Sequence, residues 1–324
     1  MIRNTEYKPV QSGAIARPLG GSRFQKNWHI FWSNGGLLLL ALPGILYYLI
    51  FHIAPLYGLQ LAFKEFFASR GIWGSPWVGL ANLESFFRSP RAMRIITNTF
   101  VLSMYETLAN LPTNILLALM LNWILKTGYK RFAQTVVYAP HFISMVVLVG
   151  MMAVFMNPST GVVNAVIERF GGESIYFFGR QDLFRHMFVW STVWQQTGWG
   201  TIIFLSALTS VDPQLYEAAR IDGATKFQML RYIDLPTILP VITIVTLLAL
   251  GRSMNLNFEK ALLFQTPLNL NKSEVIQTFV YKRGILNFQI GFGAAVGLFN
   301  SVINFVLIVV FNQLAKRFGR TSLF

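Results

Sequence analysis

Six stretches of the chain stay apolar for about the length a bilayer demands, near residues 37–63, 97–125, 131–156, 186–208, 236–256 and 290–315, with polar segments between them. A hydrocarbon core of about 30 Å needs roughly 20 consecutive apolar helical residues, whereas a soluble core needs no uninterrupted runs of that kind. The pattern predicts an all-α, polytopic membrane protein with six transmembrane helices. Several runs contain helix-disrupting residues: Pro43 and Pro55 in the first, Pro112 in the second, Pro140 in the third. Each proline frees a carbonyl that must find another partner, so each marks either a kink beside a cavity or a passive bend. Gly291, Gly293 and Gly297 in the last run permit close helix approach.

Composition agrees. The 324 residues are 54% hydrophobic and 12% charged, with a mean hydropathy of +0.49. That charged fraction is about half of what a soluble domain carries. With no cysteine, disulfides and thiolate metal sites are excluded. The net charge of +14 fits nucleic acid or an acidic substrate, and equally fits Lys and Arg used as topology anchors. Residues 1–36 are polar and basic, and the run behind them is too long for a signal sequence, so they form a retained N-terminal segment.

With that segment inside, the inner segments hold 14 Lys/Arg and the outer ones 13, which does not fix orientation. Short loops carry the rule, however. Lys126, Lys130 and Arg131 sit tight against two span ends, and Lys316, Arg317 and Arg320 follow the last span directly. The sequence thus predicts a cytoplasmic segment 1–36, a membrane domain 37–315 and a cytoplasmic tail 316–324, multi-pass in a bacterial inner membrane.

The segment 210–235 reads as a helix–turn–helix. Asp212 suits an N-cap and Pro213 the first helical position. Leu215, Ala218 and Ala219 share a face, Gly223 supplies the turn, and Thr225 with Gln228 makes a capping box. Pro236 marks a break before the next span. An amphipathic helix on the inner leaflet would be basic with bulky apolar residues opposite. This one is small-faced and carries Asp212, Glu217 and Asp222, which suits a shallow groove on another protein.

Glu217-Ala218-Ala219, then Gly223, then Ile233-x-Leu235-Pro236 resemble the coupling-loop signature of ABC importer permeases. Ala54-Pro55-Leu56-Tyr57-Gly58, the run Gly71-Ile72-Trp73-Gly74-Ser75-Pro76-Trp77-Val78-Gly79-Leu80, Tyr138-Ala139-Pro140-His141-Phe142-Ile143-Ser144 and Gly198-Trp199-Gly200 resemble the complex-saccharide branch of that family. Within the branch the chain is most similar to the first permease subunits of bacterial alginate importers. The resemblance implies a type I importer permease fold. It also implies a homologous second permease, two ATPase subunits that bind ATP and Mg, and a periplasmic or extracellular solute-binding protein. Glu217, Ala218, Ala219, Asp222 and Gly223 become the ATPase-coupling residues. No Gly-x-x-x-x-Gly-Lys-[Ser/Thr] loop occurs, so hydrolysis is assigned to partners and this chain carries neither cofactor nor catalytic residue.

Alternating access needs polar groups at depth, lining a cavity. The candidates are Glu106 with Asn110, the group Trp190, Trp194, Gln195 and Gln196, and Arg252, Asn255 and Asn257. Aromatic faces and amides suit sugar rings and hydroxyls, and a guanidinium suits a carboxylate. Each also has a plain structural reading: amides join helices, tryptophans populate interface belts, and arginine snorkels. His29, His52, His141 and His186 have no metal-ligand spacing, and no nucleophile elbow appears. An ion-gradient-driven sugar transporter using Glu106 is the alternative to an importer permease; nucleic acid is not an expected partner.

Overall fold

Two prolines of this chain, Pro55 and Pro236, follow widened helical turns, and a third, Pro140, lies beside a break. A computed structural model describes residues 35–317, so the predicted segments 1–36 and 316–324 lie almost wholly outside the described residues. The chain divides into two units, residues 1–57 and 58–324. In the first, helix α1 (Gly35–Tyr48) passes into a π turn at Leu49–Ile53, and the 3-10 stretch Ala54–Phe63 that follows runs across the boundary at residue 57. Ala54 N–H reaches back five residues to the Leu49 carbonyl. Pro55 has no N–H, and its ring would crowd the carbonyl four residues earlier; one extra residue in the turn makes room.

The second unit is built from α2 (Ala92–Asn122), α3 (Thr127–Tyr138), α4 (Met145–Phe155), α5 (Gln181–Thr209), α6 (Pro213–Ile221), α7 (Leu235–Gly251) and α8 (Ile290–Arg317). Shorter helices at Ala81–Arg88, Val162–Arg169 and Phe258–Phe264 lie in the connections. Before Pro236 the same device recurs. Leu230–Asp234 form a π turn, and Leu235 N–H donates to the Leu230 carbonyl. The break expected at Pro236 is therefore absent, and Lys226–Gly251 is one continuous helix.

Pro140 acts differently. The predicted third span, 131–156, is two helices, Thr127–Phe142 and Met145–Phe155, bent by 95° at a break directly after a 3-10 turn at Ala139–Phe142. Ser144 caps the second, accepting from Val147 N–H at 3.3 Å. Of the other predicted spans, Leu38–Phe63, Lys226–Gly251 and Ile290–Arg317 are long and apolar enough to cross a membrane. Helices α2 and α5 have 31 and 29 residues, which at about 1.5 Å per residue suffices to cross, but carry more polar side chains.

Helices α2 and α5 share the most extensive packing of the unit, and α7 packs on α8 and α5. Phe184, Phe188, Phe264 and Val193 make one apolar cluster. Phe86, Phe279 and Phe292 make a second. Leu119, Phe204, Leu208 and Ile238 make a third, beside the loop that leaves α5. The two sequence motifs around Pro140 and Trp199 meet here: the His141 ring stacks on Trp199 at 4.4 Å and 4°.

Candidate coupling loop and translocation cavity

Local hydrogen bonds shape the loop after α5. Asp212 caps α6, its carboxylate accepting from Gln214 N–H at 2.9 Å, and Pro213 takes the first helical position. The helix ends in a Schellman turn. Ala224 N–H donates to the Ala219 carbonyl at 2.8 Å, and Gly223 N–H donates to the Arg220 carbonyl at 3.1 Å. Gly223 sits at φ 75°, which a residue with a β-carbon adopts only at a cost. Thr225 and Gln228 then close the capping box that opens the continuous helix, with Thr225 N–H to Gln228 Oε1 at 2.6 Å. No residue of α6 is buried: Glu217, Ala218, Asp222 and Gly223 are exposed and Ala219 half-buried.

Beneath the loop lies a carboxylate that sequence reasoning missed. Asp234 is fully buried and accepts from two donors. Trp123 Nε1, at the C-terminal end of α2, donates to Oδ2 at 2.9 Å. The Tyr216 hydroxyl of α6 donates to Oδ1. Burial first, and then the Asp234 carboxylate, push the Tyr216 hydroxyl up to about 12, so it remains a donor at any physiological pH. The Trp123 and Tyr216 rings meet edge-on at 6.1 Å.

A cavity of about 250 Å³ opens between α2 and the end of α7. From α2 it takes Ser103, Glu106, Thr107, Asn110 and Asn114; from α7 and the turn beyond it takes Ala249, Arg252, Ser253 and Asn255. Glu106, Asn110, Arg252 and Asn255, chosen from sequence, are thus brought together. Asn114, which was not, has a buried Oδ1 with no hydrogen-bond partner among the described residues. Asn255 Oδ1 also accepts from Asn300 of α8 at 2.7 Å.

The remaining candidates lie elsewhere. Trp190 and Trp194 stand half-exposed on α5, and Trp190 Nε1 donates to the Tyr105 hydroxyl at 3.0 Å. Gln195 is buried, its amide donating at 2.6 Å to the Ile143 carbonyl freed by the bend after Pro140. Gln196 pairs with His141 Nδ1 at 2.9 Å. Asn257 caps the helix Phe258–Phe264, accepting from Lys260 N–H at 2.9 Å. Of the histidines, His52 stacks on Tyr48 and His186 bonds to Tyr105, while His29 lies outside the described residues.

Residues 110–320, which include the coupling loop and most of the cavity, match the family model described as the inner membrane component of binding-protein-dependent transport systems. The chain belongs to this family. It is a multi-pass inner-membrane permease component, and a binding-protein-dependent system leaves no support for the ion-gradient alternative. Protein LplB of Bacillus subtilis (strain 168) is 41% identical over 288 residues, covering 89% of this chain and 91% of LplB. The polygalacturonan/rhamnogalacturonan transport system permease protein YteP of the same organism is 38% identical, covering 89% and 90%. Among solved structures, a bacterial alginate ABC transporter in complex with an alginate pentasaccharide-bound periplasmic protein matches with a TM-score of 0.84 and 35% identity, over 93% of this chain and 100% of that one. A bacterial ABC transporter involved in import of the acidic polysaccharide alginate matches at 0.83 and 36%, over 91% and 99%. The type I importer permease fold of this chain follows.

Proposed function

We propose that this chain is one of a pair of permease subunits in an ATP-driven importer of acidic oligosaccharides. The observation that carries the reading is the cavity: one guanidinium, Arg252, set among hydroxyls and amides, with Glu106 the one acidic side chain in the lining. A uronate ring presents one carboxylate among hydroxyls, and the guanidinium matches the first while Asn110, Asn114 and Ser103 match the second. Two relatives similar over about nine-tenths of the chain are named for acidic polysaccharides, alginate and polygalacturonan/rhamnogalacturonan. A homologous second permease would complete the pathway. Two ATPase subunits would hydrolyse ATP with Mg, docking on the exposed face of α6 around Glu217 and Ala218. A solute-binding protein would deliver the saccharide from outside, and both termini would face the cytoplasm.

The test is reconstitution of the complete complex in proteoliposomes with its binding protein. Oligoalginate or oligogalacturonate is expected to stimulate ATP hydrolysis and to accumulate inside. Stimulation by neutral oligosaccharides alone would overturn the acidic assignment. Accumulation by this chain alone on a proton or sodium gradient would overturn the importer reading.

A further inference from the structure

The loop and the cavity are joined by a single buried group. The cavity has two walls, α2 from Ser103 to Asn114 and α7 with its following turn from Val245 to Leu256. Asp234 sits at the root of the second wall, within the π turn that leads into α7. Through Trp123 it is bonded to the end of the first wall, and through Tyr216 to α6. We infer that Asp234 is a positioning residue that transmits movement of α6 to both cavity walls at once. The inference rests on the proposed function, since it needs a partner that moves α6.

Three features support it beyond the hydrogen bonds. Asp234 is completely buried, and each carboxylate oxygen takes one donor from a different segment, so neither donor can swing away without leaving a charge poorly satisfied. The carboxylate lies in a five-residue widened turn within the helix Lys226–Gly251, an interruption of the regular ladder of the kind that often marks a functional site. By contrast α6 itself buries no residue, and Tyr216 is one of its two half-buried side chains, with Ala219. The helical walls then carry displacement lengthwise: Trp123 to Glu106 is about 25 Å and Asp234 to Arg252 about 27 Å at 1.5 Å per residue.

The experiment uses the assembled complex with Tyr216→Phe, Trp123→Phe and Asp234→Asn variants of this chain. It reads ATP hydrolysed per saccharide accumulated, with ATPase subunits quantified on the purified complex. Tyr216→Phe and Trp123→Phe each keep the ring and remove one donor. Both are expected to retain the ATPases while ATP consumed per saccharide rises about fivefold or more, the lower range of a coupling free energy between sites. Asp234→Asn, which keeps an acceptor oxygen, is expected to fall between these variants and wild type. An unchanged ratio in all three, with only yield or thermal stability reduced, would show mere packing and overturn the inference. So would loss of the ATPase subunits, which would make the cluster part of docking. A wild-type complex that failed to couple ATP to uptake would instead refute the proposed function.

Discussion

Gly198 of α5 lies so close to the backbone carbonyl of Val137 that a β-carbon there would overlap it. Two residues on, at about 200° around the helix, Gly200 meets the side chain of Asn114 in the same way. The Gly-Trp-Gly motif therefore lets α5 approach α3 on one side and α2 on another, with Trp199 between them stacked on His141. Because its obstacle is backbone, Gly198→Ala is expected to destabilise the protein by about 3 kcal/mol, the upper range for overpacking, read as a fall in melting temperature in detergent. Gly200→Ala meets a movable side chain that lines the cavity. It should cost less stability and more transport.

In the coupling loop the expected effects separate in the same manner. A β-carbon at Gly223 meets nothing within 4 Å, so Gly223→Ala suffers only from its positive φ, about 1 kcal/mol. Gly223→Pro loses the N–H that bonds Arg220 and cannot adopt that φ at all. It is expected to abolish saccharide-stimulated ATP hydrolysis while leaving the protein inserted. Glu217→Ala leaves the caps of α6 untouched and should give the same loss by removing an exposed charge from the docking face. Unchanged stimulated hydrolysis in both Glu217→Ala and Gly223→Pro would remove the loop from the coupling path.

A third prediction concerns the connection between α4 and α5. Asn164 is almost completely buried; its amide donates to the carbonyls of Met156, Asn157 and Ile175, and its Oδ1 accepts from Ile175 N–H at 2.8 Å. Asn164→Leu strands the Met156 carbonyl and the Ile175 N–H, while the Asn157 and Ile175 carbonyls keep the N–H groups of Gly161 and Phe177; it is expected to cost about 3 kcal/mol. Asn164→Asp keeps the acceptor but turns a carboxylate oxygen toward three carbonyls, and should be no better. Limited proteolysis between residues 157 and 175 is the readout, with faster cleavage expected in both variants.

These cases show which parts were legible beforehand. The caps at Asp212, Gly223 and Thr225 involve neighbours within a few residues, so residue type alone specifies them. The gathering of Glu106, Asn110, Arg252 and Asn255 was foreseeable in part, because charge and amides are costly in apolar spans and tend to face a cavity. The bond from Trp123 to Asp234 was not. Trp123 lies 111 positions away, and nothing local distinguishes Asp234 from a surface acid. Lys260 hides equally well, a charged residue near a helix start whose ammonium donates to the Phe188 carbonyl at 2.8 Å, 72 positions away. A kink or bend was expected at Pro140, but not one of 95°, because the apolar run continues through it. At the bend Gln195, from another helix, donates to the Ile143 carbonyl, a contact that no local pattern announces.

Arg252 gives the last and most discriminating prediction. It ends α7 as the C-cap, with φ −110° and ψ 9°, and from there lines the cavity opposite the polar face of α2. If it receives a uronate carboxylate, Arg252→Gln removes the charge while keeping a donor for hydroxyls. A charge-assisted hydrogen bond contributes about 1.5–3 kcal/mol, so uptake of an oligouronate should fall roughly tenfold or more. Uptake of a neutral oligosaccharide of equal length, if the complex moves it at all, should fall far less. Arg252→Lys keeps the charge but loses the planar fork, and is expected to rescue only part of the oligouronate rate. Competition between charged and neutral saccharides in one proteoliposome preparation measures the ratio directly. Equal losses for both would make Arg252 a cap that holds the end of α7, with no part in selecting the cargo.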